Sequence, residues 1–242
     1  HLAARYNQPN YPLFDPKVYV TVGDGCLMEG ISHEVCALAG VHQLDNLIAI
    51  YDANGISIDG NIDGWMREDV AKRFDAYGWE VIGPIDGHDM ADIEQALTAA
   101  QADLGRPKLI IARTVIGQGA PNKQNTSGVH GAPLGSEELE ALRVHLDWPH
   151  QSFHVPQAAY DAWSAVTTGT EAEAAWLGLW QNYQKAYPNQ AQALRRLFDG
   201  EWSVDLAPIW QNLSNQALAQ DTPMATRKAS LAVLKALHPQ LP

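Results

Sequence analysis

Short apolar runs alternate with helix-like segments over the first half of the chain. Runs rich in β-branched or aromatic residues are typical of buried strands, and four are present: Val18 to Val22, Leu47 to Tyr51, Trp79 to Ile82 and Lys108 to Thr114. Helical patterns lie between them, from about Glu29 to Ala39 with Gly40 as a stop, from Glu68 to Tyr77 and from Ala91 to Asp103. The alternation predicts an α/β fold, in which a parallel sheet carries helices on both faces.

The pattern changes from Pro133 onward, where no strand-like run remains. Ser136 is expected to cap a helix that runs to about Leu146, because serine is a favourable N-cap residue. Further helices are predicted at Glu171 to Tyr187, Ala191 to Phe198, Ala207 to Ala219 and Ala225 to Leu237, the last preceded by a linker at Asp221-Thr222-Pro223. A helical segment therefore follows the α/β part.

Polar residues stand where the first two predicted strands end. The sequence Gly23-Asp24-Gly25 closes the first strand, and Asn54 follows the second, with about one helix between them. A strand–helix–strand unit of this length brings parallel strands side by side with their carboxyl ends together, at the edge where ligands bind. Carboxylate and amide oxygens suit Mg²⁺ or Ca²⁺, and glycines let a phosphate approach the backbone closely. Gly-Asp-Gly alone is a common turn, but its strand, helix and Asn54 together favour a cofactor site.

Charge and composition narrow the classes of ligand. The net charge of −12 argues against a general nucleic-acid or anionic-membrane surface, so a phosphate ligand needs a metal, backbone N–H groups or a few basic residues. No apolar stretch approaches the length of a membrane span. Cys26 and Cys36 form no metal-type pair and are interpreted as free, structural thiols in a reduced, cytoplasmic compartment.

The strings around these residues resemble one enzyme family. Residues 26–53 separate the second glycine from Asn54, as in the diphosphate-anchoring motif of thiamine diphosphate enzymes. GDGCLMEG (23–30) followed by ISHE (31–34), NGISIDG (54–60) and HGAPLG (130–135) resemble the transketolase family. Deoxyxylulose-phosphate synthases and dehydrogenase α subunits are similar at the first motif, but usually lack a glutamate at the position of Glu29.

The resemblance implies a metal site and a diphosphate site. Asp24 and Asn54 would bind a divalent cation through their side chains, and Ile56 through its main-chain carbonyl. Mg²⁺ is expected, with Ca²⁺ or another divalent ion possible. The cation would hold the diphosphate of thiamine diphosphate beside Gly23 and Gly25.

Three further residues gain expected roles from the resemblance. His130 lies in a loop rich in glycine and serine, and a histidine there can donate to a phosphate or an oxyanion and move a proton. The family implies that it contacts the cofactor and the donor substrate, although a loop histidine without a role is the alternative. Glu29 would lie at a dimer interface, coupled to the cofactor-activating glutamate, or only favour the start of a helix. Ile58 would pack beside the thiazolium ring, or serve only local packing.

The implied activity is the transfer of a two-carbon ketol unit from a ketose phosphate to an aldose phosphate by a homodimer. We expect residues 1–135 to be part of the diphosphate-binding domain, 136–220 a helical extension of it, and 221–242 a linker and the start of the pyrimidine-binding domain. The chain begins at His1 inside a helix-like segment, and is interpreted as a fragment of about a third of a transketolase, inactive alone.

Two other functions stay open at this point. A related thiamine diphosphate enzyme, such as a dihydroxyacetone synthase, transfers ketol units with similar motifs. A module that binds a metal or a diphosphate without catalysis is the second alternative, against which the intact Asp24, Asn54 and His130 argue.

Overall fold

The computed structural model describes residues 1–201, 205–220 and 222–240. Its helices and strands are, in chain order, α1 (Leu2–Tyr6), β1 (Val18–Gly23), α2 (Asp24–Met28), α3 (Gly30–Val41), β2 (Leu47–Ala53), β3 (Ile56–Ser57), β4 (Gly60–Asn61), α4 (Val70–Ala76), β5 (Glu80–Asp86), α5 (Met90–Ala100), β6 (Lys108–Arg113), α6 (Ser136–His145), α7 (Gln157–Trp163), α8 (Val166–Ala186), α9 (Pro188–Phe198), α10 (Ala207–Leu218) and α11 (Thr226–Leu237). Residues 15–164 form one compact unit, and residues 1–14 with the described residues from 165 onward form another. Asp221, the first residue of the predicted linker, lies outside the described residues, and the predicted domain boundaries stay predictions.

The first unit is built on a sheet of four parallel strands in the order β1-β2-β6-β5. In its register Gly23 of β1 lies opposite Asp52 of β2, and Ala53 lies opposite Arg113 of β6. A separate antiparallel hairpin, β3–β4, follows β2 directly. The α/β class and the parallel sheet predicted from the sequence are confirmed.

Alternate residues of the central strands fill two separate cores, because successive side chains of a strand point to opposite faces. On one face the buried members are Ala49 and Tyr51 of β2 and Leu109 and Ile111 of β6, packed with Ala39 of α3, Phe74 of α4 and Trp79. On the other face Ile48 and Ile110 pack with Ala96 and Ala100 of α5. Helices therefore cover both faces, as predicted.

The prediction that the first strand is buried was wrong. Val18, Tyr19 and Val20 of β1 are 45%, 46% and 39% exposed. The reason is the strand order, since within residues 1–201, 205–220 and 222–240 β1 is an edge strand that pairs with β2 alone. Apolar composition predicted the strand itself correctly, but composition does not distinguish an edge from a centre.

Helix α3 does not stop at Gly40, as the sequence suggested, but continues to Val41. A Cβ atom built on Gly40 would lie 1.8 Å from the carbonyl oxygen of Tyr77. Trp79 fixes the same contact region, because its indole N–H donates to the carbonyl of Cys36 at 2.8 Å. Gly40 therefore permits close packing of α3 against the segment after α4, and is not a terminator.

Other helix and strand boundaries differ from the sequence predictions for local reasons. Asp69 is the N-cap of α4, with its carboxylate accepting from the N–H of Lys72 at 3.1 Å, so the helix starts two residues later than predicted. Gly135, with a φ of 85°, takes the N-cap position of α6 that was predicted for Ser136. Strand β5 continues past Ile82 to Asp86, because pairing with β6 resumes after an irregularity between Ile82 and Ile85.

The second unit is helical, and aromatic side chains form its core. Tyr183 of α8 is fully buried and donates its hydroxyl to the carbonyl of Tyr6 at 2.8 Å. Trp176 donates its indole N–H to the carbonyl of Leu13 at 3.0 Å, and stacks on Trp180 with ring centroids 5.9 Å apart. These contacts join α8 to the segment at the start of the chain. Among the described residues, no helix is both long enough and apolar enough to cross a membrane.

The close approach at Gly40 predicts the outcome of Gly40→Ala. Alanine usually stabilises a helix relative to glycine, but here the new methyl group would meet a backbone carbonyl that cannot rotate away. We expect the free energy of unfolding to fall by about 1–3 kcal/mol, measured by urea denaturation. Gly30→Ala in the same helix is the matched control, because a Cβ there meets no atom within 4 Å. Equal stability of the two variants would contradict the packing assigned to Gly40.

Candidate cofactor site

The ends of β1 and β2 bring the predicted metal ligands to one edge of the sheet. Asp24 follows β1 directly as the first residue of α2, and Asn54 follows β2. Since Gly23 pairs with Asp52, both residues lie just beyond the same pair of strand ends. The convergence that the sequence predicted at the carboxyl edge is therefore present.

Asp24 is held by hydrogen bonds from the second strand and its loop. The residue is 3% exposed, and its Oδ1 accepts from the hydroxyl of Tyr51 at 2.5 Å while its Oδ2 accepts from the N–H of Gly55 at 2.9 Å. Burial and the hydrogen bond to Asp24 raise the pKa of the Tyr51 phenol, so the phenol keeps its proton and donates it. Each carboxylate oxygen accepts one bond here and keeps capacity for another.

Asn54 is fixed within a tight turn. Its Oδ1 accepts from the N–H of Ile56 at 2.9 Å, and its Nδ2 donates to Oδ2 of Asp52 at 3.2 Å. Gly55 turns the chain with a φ of 72°, a conformation that glycine adopts readily. Ile56 is 7% exposed, whereas Ile58, in the turn between β3 and β4, is 70% exposed.

The donor set suits a hard cation that is completed by a ligand. Among the described residues, no group of three histidine, cysteine, aspartate or glutamate side chains could hold a metal ion alone. The oxygens of Asp24 and Asn54 are the kind that Mg²⁺ and Ca²⁺ prefer, and Mg²⁺ commonly takes one or two protein oxygens together with phosphates. Cβ atoms built on Gly23 and Gly25 would meet nothing within 4 Å, so the backbone beside Asp24 is open.

His130 lies in a different loop, and buried Glu138 holds the two residues Asn122 and Lys123 that precede it. The Glu138 carboxylate accepts from the N–H and side-chain amide of Asn122 at 2.8 and 2.9 Å, and from the N–H of Lys123 at 3.1 Å. The hydrogen bonds from Asn122 hold the pKa of the Glu138 carboxyl below its ordinary value. His130 itself is exposed, and no hydrogen bond within the described ranges joins its ring to Asp24 or Asn54.

Glu29 also makes no hydrogen bond to Asp24 or Asn54 among the described residues. It is the exposed N-cap residue of α3, and its side chain makes no capping hydrogen bond. Its carbonyl instead accepts from the hydroxyl of Ser32 at 2.7 Å. The structure thus brings together Asp24, Asn54 and Ile56 beside the two glycines, and leaves Glu29, Ile58 and His130 outside that hydrogen-bond network.

Sequence reasoning missed three polar residues at this edge of the sheet, namely Tyr51, Asp52 and Thr114. Tyr51 bonds to Asp24, and Thr114, which follows β6, donates its hydroxyl to Oδ1 of Asp52. Each lies at or just beyond the end of a predicted strand. That position was the available signal, because the ends of neighbouring parallel strands meet at the same edge.

Arg73 was missed as well, and it supports the backbone after Asp24 from the side of α4. Its guanidinium pairs with Glu68 at 2.5 Å, donates to the carbonyl of Leu27 at 3.2 Å, and lies 3.3 Å from Nε2 of His33. No sequence spacing links α4 to the short helix α2, so only the fold shows this contact.

Comparison with known proteins identifies the family of this arrangement. The family model described as the thiamine diphosphate binding domain of transketolase matches residues 1–203. Transketolase 1 of Vibrio vulnificus (strain CMCP6) is 47% identical over 245 residues, and transketolase 2 of Escherichia coli (strain K12) is 47% identical over 241 residues. Each comparison covers 100% of this chain and 36% of the relative, so the chain spans about a third of the length of these relatives.

Solved structures agree in fold. Transketolase from Leishmania mexicana superposes with a TM-score of 0.81 at 35% identity, and a Pichia stipitis transketolase in complex with sedoheptulose-7-phosphate gives 0.81 at 37%. Both alignments cover 100% of this chain and 35% of the solved chain. From the family model, the relatives and the shared fold, the chain belongs to the transketolase family and carries its thiamine diphosphate binding domain.

Proposed function

We propose that this chain anchors the diphosphate of thiamine diphosphate through a divalent cation, as part of a transketolase. The observation that carries the proposal is the buried Asp24 carboxylate, held by Tyr51 and Gly55 directly beside the turn of Asn54. A buried carboxylate is favourable only with partners, and a cation is the strongest partner that the open backbone beside it could admit.

The cation would be bound by three oxygens of this chain. Asp24 and Asn54 supply side-chain oxygens and Ile56 supplies its main-chain carbonyl, with the diphosphate oxygens completing the shell. Mg²⁺ is the proposed ion, and Ca²⁺ shares the preference for oxygen ligands. Gly23 and Gly25 leave room for the diphosphate, because the space beside their backbone is open and a side chain there would occupy it.

Three exposed residues would act around this anchor: His130, Glu29 and Ile58. The exposed His130 ring would donate to the diphosphate or to the donor substrate and move a proton during the reaction. Ile58, 70% exposed, has apolar surface available for the thiazolium ring. Glu29, exposed at the start of α3, is available for contact with a second subunit in a homodimer.

The proposed reaction of the whole protein is ketol transfer between sugar phosphates. When bound, thiamine diphosphate supplies the carbon nucleophile and the electron sink. The Pichia stipitis relative was solved with sedoheptulose-7-phosphate, which favours a ketose phosphate as the donor class here. A cytoplasmic location and a role in the pentose phosphate pathway accompany this proposal.

The anchor is tested by Asp24→Asn in the full-length protein that carries this chain. Loss of the negative charge should weaken the joint binding of Mg²⁺ and thiamine diphosphate by at least about tenfold in a calorimetric titration. Asp59→Asn is the matched control, because Asp59 is exposed and its carboxylate makes no hydrogen bond among the described residues. Unchanged binding in Asp24→Asn, with a native circular dichroism spectrum, would refute the anchor.

His130 is tested separately through the reaction. We expect His130→Ala to lower kcat by about 100-fold or more, the usual size of a lost acid–base group, while the affinity for thiamine diphosphate and Mg²⁺ changes by less than about tenfold. His145→Ala, at the exposed end of α6, should leave kcat unchanged. A normal kcat in His130→Ala would remove this residue from the reaction.

A further inference from the structure

Asp52 is a carboxylate at the ends of β1 and β2 that the proposed anchor does not use, and both its oxygens are engaged. Oδ1 accepts from the hydroxyl of Thr114, and Oδ2 accepts from Nδ2 of Asn54 at 3.2 Å. Asp52 lies at the last paired position of β1 and β2, opposite Gly23. Three strand ends therefore meet around this side chain.

The side-chain amide of Asn54 has two nearly isosteric ends, of which only the oxygen can bind a cation. Which end faces which way depends on the hydrogen-bond partners. A carboxylate has no proton to donate, so Asp52 accepts only the NH₂ end of the amide. The N–H of Ile56 is a donor and requires the oxygen end, at 2.9 Å. Both partners thus select the same orientation.

We propose that Asp52 is a positioning residue, which holds the Asn54 amide with its oxygen toward the cation and is itself oriented by Thr114. This inference rests on the proposed function, because it assigns Asn54 as a ligand. Without Asp52, only the Ile56 contact would oppose a flip that turns the NH₂ group toward a positive ion. Residues that orient metal ligands in this way commonly contribute about 10–100-fold to metal affinity.

The decisive variants exchange the two side chains. Asp52→Asn alone gives residue 52 an NH₂ group, so it no longer selects the orientation of the Asn54 amide. Asp52→Asn combined with Asn54→Asp reverses the pair, since an amide then donates to a carboxylate whose two ends are both oxygen. The double exchange also keeps the net charge of the site, although it moves the charge onto residue 54. Thr114→Val is a charge-neutral third variant that frees Asp52.

The measurement is a calorimetric titration of Mg²⁺ in the presence of saturating thiamine diphosphate, with the full-length protein and a thermal unfolding midpoint for each variant. We expect Mg²⁺ affinity to fall about 10–100-fold in Asp52→Asn, to fall by a smaller factor in Thr114→Val, and to recover in the double exchange. Asp59→Asn should retain the wild-type affinity, as it removes the same charge from an exposed position of the next hairpin.

The outcomes separate this inference from the anchor on which it rests. If Asp52→Asn binds Mg²⁺ as tightly as Asp59→Asn while Asp24→Asn does not bind, the anchor stands and the positioning role is overturned. Loss in Asp52→Asn with wild-type affinity in Thr114→Val would assign the effect to charge, and would also overturn it. Loss without recovery in the double exchange would overturn it too, because a carboxylate at residue 54 presents oxygen at both ends and needs no orienting partner. Failure of the wild-type protein to bind Mg²⁺ would overturn both the anchor and the positioning role of Asp52.

Discussion

The parallel pairing of β1 with β2 is the constraint on which the site depends. Its register places Gly23 opposite Asp52, so that the residues that follow each strand emerge together. A slip of one residue would turn Tyr51 to the opposite face of the sheet, because side chains alternate along a strand. Asp24 would then lose its hydroxyl donor while remaining next to the core. The apolar faces of β2 prevent this slip, since they fill two cores at once.

Packing around the sheet extends this constraint to the helices. Gly40 lets α3 approach the carbonyl of Tyr77, and Trp79 closes the same region with its hydrogen bond to Cys36. Arg73 of α4 then reaches the carbonyl of Leu27, at the end of the turn that Asp24 begins. The residues at the carboxyl ends of β1 and β2 are therefore supported by helices that pack on the same core as the strands.

The local sequence pattern predicted most of the strands and helices, and it predicted Asp24 and Asn54 of the candidate site. Asp24 and Asn54 could be found because strand ends, glycine and crossover length are all local signals. Tyr51, Asp52 and Thr114 also lie at strand ends, but their contacts could not be predicted, since these depend on the order β1-β2-β6 and on the register between strands distant in sequence. The same limit explains the errors at β1 and Gly40, where an edge position and a close tertiary contact decided the outcome. The position of His130 relative to Asp24 and Asn54 also depends on contacts beyond a single motif.

Glu138 has a consequence for the conformational entropy of the loop that carries His130. Its carboxylate ties Asn122 and Lys123 to α6, while Lys123 donates to the carbonyl of Leu134 at 2.5 Å, beyond His130. The segment that presents this histidine is thus restrained on both sides within the protein itself. Ordering a loop at the moment of binding costs conformational entropy, and a loop that is already restrained avoids much of that cost. Preorganisation of this kind lets a residue on an irregular segment meet its ligand nearly as readily as one on a strand.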